Sequence, residues 1–389
     1  MTGGTGGVTD GDGDRVDDNA ALRLERRDYA AGVVSAVLAE RDATAFGHVG
    51  TERDPGIRYG CPTPTTGLTA IAYDSTESEW LVRSAGDDTS GHPAQRLASV
   101  LADRNLKGTI LTPPRVPHDA ALYLEGAGFD LASTDALERA RATKTDGERA
   151  AIEDAQRAAS AGVRRAASIL ADATVVDGQL AVNSEDETES GPLTPARLRI
   201  AIDEAIVGAG AFPAGNTAIN PDSSRGSDTD APLRPGEPIV IAVAPRGPAG
   251  YYGGLVRTLV VDSDGGRERR VHVAVTQSFR SARSMLTAGT ESVTAVEADL
   301  EAEVRSFGFA EGDAIETEVS GVGLEPHERP IDGGDDIAPG TVVRLDVAGQ
   351  VETGTRIRIA DVLAVNGEGE RPDWLAAPSQ SLEPTALLE

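Results

Sequence analysis

The sequence predicts a two-part protein, a smaller α/β portion followed by a larger α+β portion whose helices back a mostly antiparallel sheet. Three observations carry that expectation. At 389 residues the chain is long enough to bury two cores. Its first third alternates helical and strand-like patterns. The rest sets helical periodicity around long β-branched runs of period two.

The elements follow in order. Residues 1–20, rich in Gly, Thr and Asp without periodic apolar positions, predict a disordered tail. An N-terminal α/β domain is expected over 21–142, with "DYAAGVVSAVLAERDA" and "AQRLASVLADRN" as helices and "TGLTAIAYD", "EWLVRSA" and "GTILTPP" as strands. A second domain is expected over 143–367. After "TKTDGE", Ile152, Ala155, Ala159, Val163, Ala166 and Leu170 recur at helical spacing, predicting a long amphipathic helix. The acidic stretch "DGQLAVNSEDETESGP" reads as a surface loop. "LTPARLRIAIDEAIVGAG" reads as a helix with Thr194 as N-cap and Pro195 at the first helical position. Val293, Val296, Leu300, Val304 and Phe307 mark another helix, stopped by Gly308. "PIVIAVAP", "GGLVRTLVVD", "GTVVRLDVAG" and "TRIRIADVLAV" read as strands, and residues 368–389 as a loose C-terminal extension.

Charge narrows the function classes. Asp and Glu number 63 against 36 Lys and Arg, a net charge of −27, and only Lys107 and Lys144 are lysines. Such a surface repels phosphates and anionic lipid, so nucleic acid and membranes are not expected partners. The acidic, lysine-poor composition resembles that of proteins from salt-loving archaea; at 1 M salt the Debye length of about 3 Å makes the self-repulsion tolerable. The single cysteine, Cys61, cannot form an internal disulfide and reads as a small buried hydrophobe. No basic region followed by an apolar run opens the chain and no apolar stretch is long enough to span a membrane, so a soluble, cytoplasmic protein is expected.

Five segments, "TKTDGERAAIEDAQRAA", "LRPGEPIVIAVAP" leading into "GYYGGLVRTLVV", "SGVGLEPHERP", "IAPGTVVRLDVAG" and "TRIRIADVLAV", resemble the creatinase/aminopeptidase family in order and spacing. This M24 family includes Xaa-Pro aminopeptidases and prolidases, and the resemblance covers roughly residues 30–366. It implies a pita-bread fold like that of creatinase and methionine aminopeptidase, preceded by a smaller creatinase-like α/β domain. It also implies a peptidase site in which two divalent ions, about 3.5–4 Å apart, activate a bridging water.

The family holds those ions with four carboxylates and one imidazole, and here the corresponding positions fall on Ala242, Gly254, Ser320, Asp346 and Ala360. One carboxylate would leave about three of the four positive charges uncompensated, and each unpaired buried charge costs several kcal/mol. A degenerate metal site and no cofactor are therefore expected; Mn, Co or Zn enters only if the chain is an active peptidase. His327 and Glu328 match the family's second histidine and its neighbour, and two readings stay open: a catalytic histidine over substrate, or a structural one in a surface loop. His48, His92, His118 and His272 stand singly and read as structural. Period two puts Arg344 on the face of Asp346. Either its guanidinium enters the site as a fixed cation in place of metal, or it is an exposed arginine on a twisted strand.

Three functions compete. The first is a non-catalytic pita-bread protein that binds a peptide or small molecule, or serves assembly, as metal-free relatives do. The second is an Xaa-Pro aminopeptidase or dipeptidase. The third is a metal-free creatinase-like hydrolase with His327 as acid/base. Homodimerisation is implied by the resemblance alone.

Overall fold

The computed structural model describes residues 11–87, 90–182, 191–221, 230–310 and 314–389, with side chains from residue 18 onward. The chain divides into two units, Met1–Arg141 and Ala142–Glu389.

The first unit contains α1 (Gly11–Glu40), β1 (Ala45–Gly50), α2 (Pro55–Gly60), β2 (Thr69–Asp74), β3 (Glu79–Ser84), α3 (Pro93–Asp103), β4 (Gly108–Thr112), α4 (His118–Gly126), β5 (Phe129–Ser133) and α5 (Ala136–Ala142). Its five-stranded sheet has the order β3-β2-β1-β4-β5, antiparallel on the β3 side and parallel between β1, β4 and β5. Leu97, Leu101, Ile110 and Leu124 form its core with the alanines of β1 and β2. Of the tail expected over 1–20, residues 1–10 lie outside the described residues, whereas 11–20 are helical. Leu22 and Arg26 are already buried. That anchorage holds α1 well upstream of Asp28, and each further turn adds backbone bonds to an existing nucleus.

The second unit begins with α6 (Asp146–Ala171), which a reciprocal capping box starts: Thr145 Oγ1 accepts from the Glu148 backbone and Glu148 accepts from the Thr145 backbone. Then come β6 (Thr174–Val176), β7 (Gln179–Val182), β8 (Gly191–Pro192), α7 (Pro195–Gly208), β9 (Thr217–Ile219), β10 (Ile239–Val243), β11 (Leu255–Leu259) and α8 (Arg267–Ala288). The chain continues with β12 (Glu291–Ser292), α9 (Val293–Ser306), β13 (Ile315–Gly321), β14 (Asp336–Ile337), β15 (Val342–Glu352), β16 (Thr355–Ala364), β17 (Asp373–Trp374) and a 3₁₀ turn (Pro384–Leu387). Thr194 caps α7 by accepting from the Arg197 backbone at 3.3 Å, with Pro195 at the first helical position. Helix α8 was not expected from the sequence, although its buried Val271, Ala274, Val275, Phe279, Ala282 and Leu286 follow helical spacing. The stretch read as an acidic surface loop contributes β7 and β8 to a three-stranded antiparallel sheet. Its residues 183–190 lie outside the described residues.

The main sheet has seven strands, β13-β15-β16-β11-β10-β9 with β17 on the end of β16, and every pairing is antiparallel. One face is sealed by helices. Against α8 and α9 lie Val319, Val343, Leu345, Val347, Ile357 and Ile359; against α6 and α7 lie Ile239, Ile241, Val243, Leu255 and Leu259. Fully burying each such side chain contributes about 1.5–3 kcal/mol. The C-terminal segment is not loose. Ser160 Oγ donates to the Ala376 carbonyl at 2.8 Å, the Leu363–Trp374 pairing extends the sheet, and Leu382 and Leu387 are buried. Isolated apolar anchors and backbone acceptors hold it, which leaves no periodicity to read.

Candidate functional site

The other face of the main sheet carries the site. Cross-strand register lines up Ala242 with Val256, Val256 with Ala360, Ala360 with Asp346 and Asp346 with Glu318. Residues directly opposite in a ladder share a face, so one row crosses five strands. Ser320, opposite Arg344, stands in the next row. Four of the five positions singled out in the sequence therefore meet on this face, and Gly254 reaches it through the Arg344 side chain. Near β10 and β11 the surface is small and apolar, with Val240, Val256 and Ala360 buried together and Ala242 packed on them. Ala242, Gly254 and Ala360 carry no side-chain atom able to ligate a metal.

At the β13 end the face is ionic. Asp346 is buried, and Arg358 forks it, Nε to Oδ1 at 2.9 Å and Nη2 to Oδ2 at 2.8 Å. Arg344 Nη2 also donates to Asp346 Oδ2. The Arg344 side chain is only 9% exposed. Instead of reaching solvent it crosses β16: a Cβ on Gly254 would stand 3.1 Å from Arg344 Cδ. The absence of a side chain at 254 is what gives the arginine its room. Two guanidiniums and one carboxylate thus fill the ground in front of Gly254. Among the described residues no group of three or more His, Cys, Asp or Glu is placed to hold a metal ion.

His327 stands at the edge of this cluster, its side chain 41% exposed. Its Nδ1 is 3.0 Å from Ser320 Oγ and 3.2 Å from Glu318 Oε1. The hydrogen bond from His327 pulls the Glu318 carboxyl below the usual carboxylate range; burial opposes the shift, and the charges of His327, Arg344 and Arg358 add to it. A proton on Nδ1 faces the Glu318 carboxylate, and an Nδ1 that donates there cannot also take a proton from Ser320. Ser320 is therefore not an activated nucleophile, because nucleophile and carboxylate meet the same ring nitrogen instead of opposite ones.

Glu328, next in sequence, points elsewhere. Its Oε1 accepts from Lys144 Nζ at 2.8 Å, with side-chain exposures of 4% and 0%. Beside this pair, Tyr251 OH donates to Glu148 Oε1 at 2.8 Å, and burial raises the Glu148 carboxyl despite nearby Lys144. Lys144, Glu148, Tyr251 and Glu328 form a buried network that fastens the start of α6 to the loop after β13. Sequence reasoning missed it. The only signal was that one of two lysines in an arginine-rich chain sits just before a capping box. Sequence reasoning also missed the Arg358 fork on Asp346 and the role of Glu318.

Three of the other four histidines have partners of their own. His48 Nε2 lies 2.9 Å from Asp54 Oδ1, His92 accepts from the Ala94 backbone at 3.2 Å, and His272 Nε2 lies 2.6 Å from the Gln380 carbonyl. Cys61 is buried, and desolvation pushes its thiol up to about 11, outweighing the charges of Arg27 and Arg26. It is not a nucleophile at neutral pH.

A helix-backed antiparallel sheet with a strand-borne polar face, following a small α/β unit, defines a pita-bread protein. Residues 150–367, more than half of the chain, match metallopeptidase family M24, and the chain belongs to that family. Solved structures agree in fold. The Xaa-Pro dipeptidase of Bacillus anthracis superposes with a TM-score of 0.71 at 14% identity, covering 92% of this chain and 99% of that one. For the X-Pro aminopeptidase of Thermotoga maritima the TM-score is 0.70 at 16% identity, covering 87% and 96%. For the prolidase of Pyrococcus furiosus it is 0.68 at 15% identity, covering 89% and 99%. No curated protein matches by sequence. No helix among the described residues is long and apolar enough to cross a membrane.

Proposed function

We propose that this M24 protein is a non-catalytic member of its family, in which the dinuclear metal centre is replaced by a fixed ion cluster and the cleft binds a peptide or small molecule. One observation carries the reading: Asp346, the only carboxylate at the family's ligand positions, is occupied by two guanidiniums. Two divalent ions there would add four positive charges to the two already present, against Asp346 and the half-exposed Glu318. The residues do not fit a metal pair, since unpaired charge in a partly dehydrated site costs several kcal/mol per ion. The Asp346 cluster needs no metal to be neutralised, and Ala242, Ala360 and Val256 offer an apolar floor beside it.

Elemental analysis tests the proposal on protein purified in molar salt, where the net charge of −27 is screened. It is run beside a thermal-shift series with manganese, cobalt and zinc and an assay for cleavage of Xaa-Pro dipeptides. The expected result is no stoichiometric metal, no metal-dependent shift and no cleavage. Two equivalents of bound metal with cleavage would restore the peptidase reading, the activity after which the superposing proteins are named.

The exposed imidazole of His327 favours one second reading, a metal-free hydrolase with His327 as acid/base. Turnover of amidino or peptide substrates that disappears in His327→Ala would establish it.

A further inference from the structure

Behind β16, on the helix-backed face, lies a cavity of about 310 Å³ that the site does not use. Its floor is the ion pair of Arg257 and Asp361, its wall is Phe279 and Arg280 of α8, and its roof runs from Trp374 to Gln380. The roof lies beyond residues 150–367, which match the family, so the pocket is not one that family membership assigns.

Its chemistry is asymmetric. The floor is saturated. Arg257 gives Nε to the Ser379 carbonyl, Nη1 to the carbonyls of Val256 and Ala360, and Nη2 to Asp361 Oδ1 and the Pro378 carbonyl, all within 3.1 Å. Asp361 Oδ2 accepts from Gln380 at 2.5 Å. Nothing in the floor asks for a ligand; it gives the pocket a rigid, neutral base.

The wall differs. Trp374 presents a half-buried ring, backed by the fully buried Phe279 with centroids 5.9 Å apart and planes inclined at 54°. Arg280 is exposed at the rim, and its hydrogen bond goes to the neutral amide of Gln277 at 3.3 Å. Among the described residues no carboxylate forms an ion pair with it, in a chain that carries 63 acidic residues against 36 basic ones. An uncompensated guanidinium beside an aromatic ring in a cavity of ligand size selects one chemistry: a flat apolar body to lie on the ring and an anionic head for the fork.

We propose that this cavity is a binding site for a small aromatic carboxylate, its ring against Trp374 and its carboxylate on Arg280. The site is separate from the reading of the other sheet face and stands or falls without it.

Benzoate is the probe. The chain has two tryptophans, Trp80 in the first unit and Trp374 in the pocket, so Trp80→Phe leaves Trp374 as the sole reporter. Titrating benzoate at constant high chloride should change Trp374 fluorescence saturably. Isothermal titration of the unmodified chain should give one site per chain, which keeps the test decisive if Trp80→Phe fails to fold. Arg280→Gln should weaken benzoate about tenfold, the usual loss for one charge-assisted hydrogen bond. Benzylamine, with the ring but the opposite charge, and acetate, with the charge but no ring, should not saturate over the same range. An absent isotherm, an affinity untouched by Arg280→Gln, or equal binding of benzylamine overturns the proposal. Metal content and dipeptide cleavage play no part in the readout, so its failure and that of the proposed function are distinguishable.

Discussion

Leu345 and Asp346 are neighbours in β15 that face opposite sides of one sheet. Leu345 is completely buried against α8 and α9, among Val319, Val343, Val347 and Ile359. Asp346 is also buried, but its surroundings are two guanidiniums and, across the strand, Glu318. The helix side is specified by volume and apolarity, and any sequence that fills it keeps the fold. The site side is specified by charge balance, and its members are bound to one another, so they change together or not at all. This separation fits a chain that shares the fold of the superposing structures at only 14–16% identity.

Asp346→Ala tests the site side with the largest expected effect. It strands Arg344, with 9% of its side chain exposed, and Arg358, and should cost about 3–5 kcal/mol in urea unfolding. Replacing the buried pair together, Arg344→Met with Asp346→Leu, should recover at least half of that loss, because the cost lies in the imbalance and not in the absence of charge. Additive losses in the double variant would sink the charge-balance account. On the other face, Leu345→Ala should cost about 2–5 kcal/mol by opening a cavity. No charged partner should rescue it, and only refilling the volume, as in Leu345→Met, should.

The two faces also differ in how far the sequence revealed them. The apolar side was legible, since period two in "GTVVRLDVAG" and "TRIRIADVLAV" fixes which residues seal against helices. The same alternation placed Arg344 beside Asp346. It could not tell a guanidinium turned inward from one turned outward, because that depends on the room left by Gly254, 90 positions away in the chain. Nor could it find the Lys144–Glu328 pair, separated by 184 residues. The C-terminal segment and the first turns of α1 were misread for a related reason: tertiary anchors, which have no period, hold them in place.

A smaller effect concerns the loop after β13. A Cβ at Gly321 would come 2.3 Å from the Arg329 carbonyl oxygen, which is backbone and cannot swing aside. Gly321→Ala should therefore cost about 1–3 kcal/mol. At Gly323 the first atom met is Glu328 Oε1, 2.1 Å from the built Cβ. Gly323→Ala should act through the Lys144–Glu328 pair, so its cost should shrink in a Glu328→Gln background whereas that of Gly321→Ala should not. Thermal melts of the three single and two double variants would compare the two, and equal responses would show that the loop is held by one constraint only.

The smallest effect tests whether Glu318 belongs to the ion cluster. Its carboxyl is depressed in the folded state, first by the His327 hydrogen bond and then, against the opposing effect of burial, by the charges of His327, Arg344 and Arg358. A depressed folded value means that the unfolded chain takes up the proton first as pH falls. The stabilisation is therefore complete above the unfolded value, about 4.3 for a glutamate, and is lost as pH drops through the lower folded value. Because the side chain is 51% exposed, solvent screens much of the interaction. Glu318→Gln should thus lower the urea midpoint slightly at neutral pH and by a vanishing amount in acid, and molar salt should shrink the neutral-pH difference. A difference that stays constant from neutral to acid pH would mean that Glu318 contributes packing alone, leaving Asp346 as the only carboxylate that balances the two arginines.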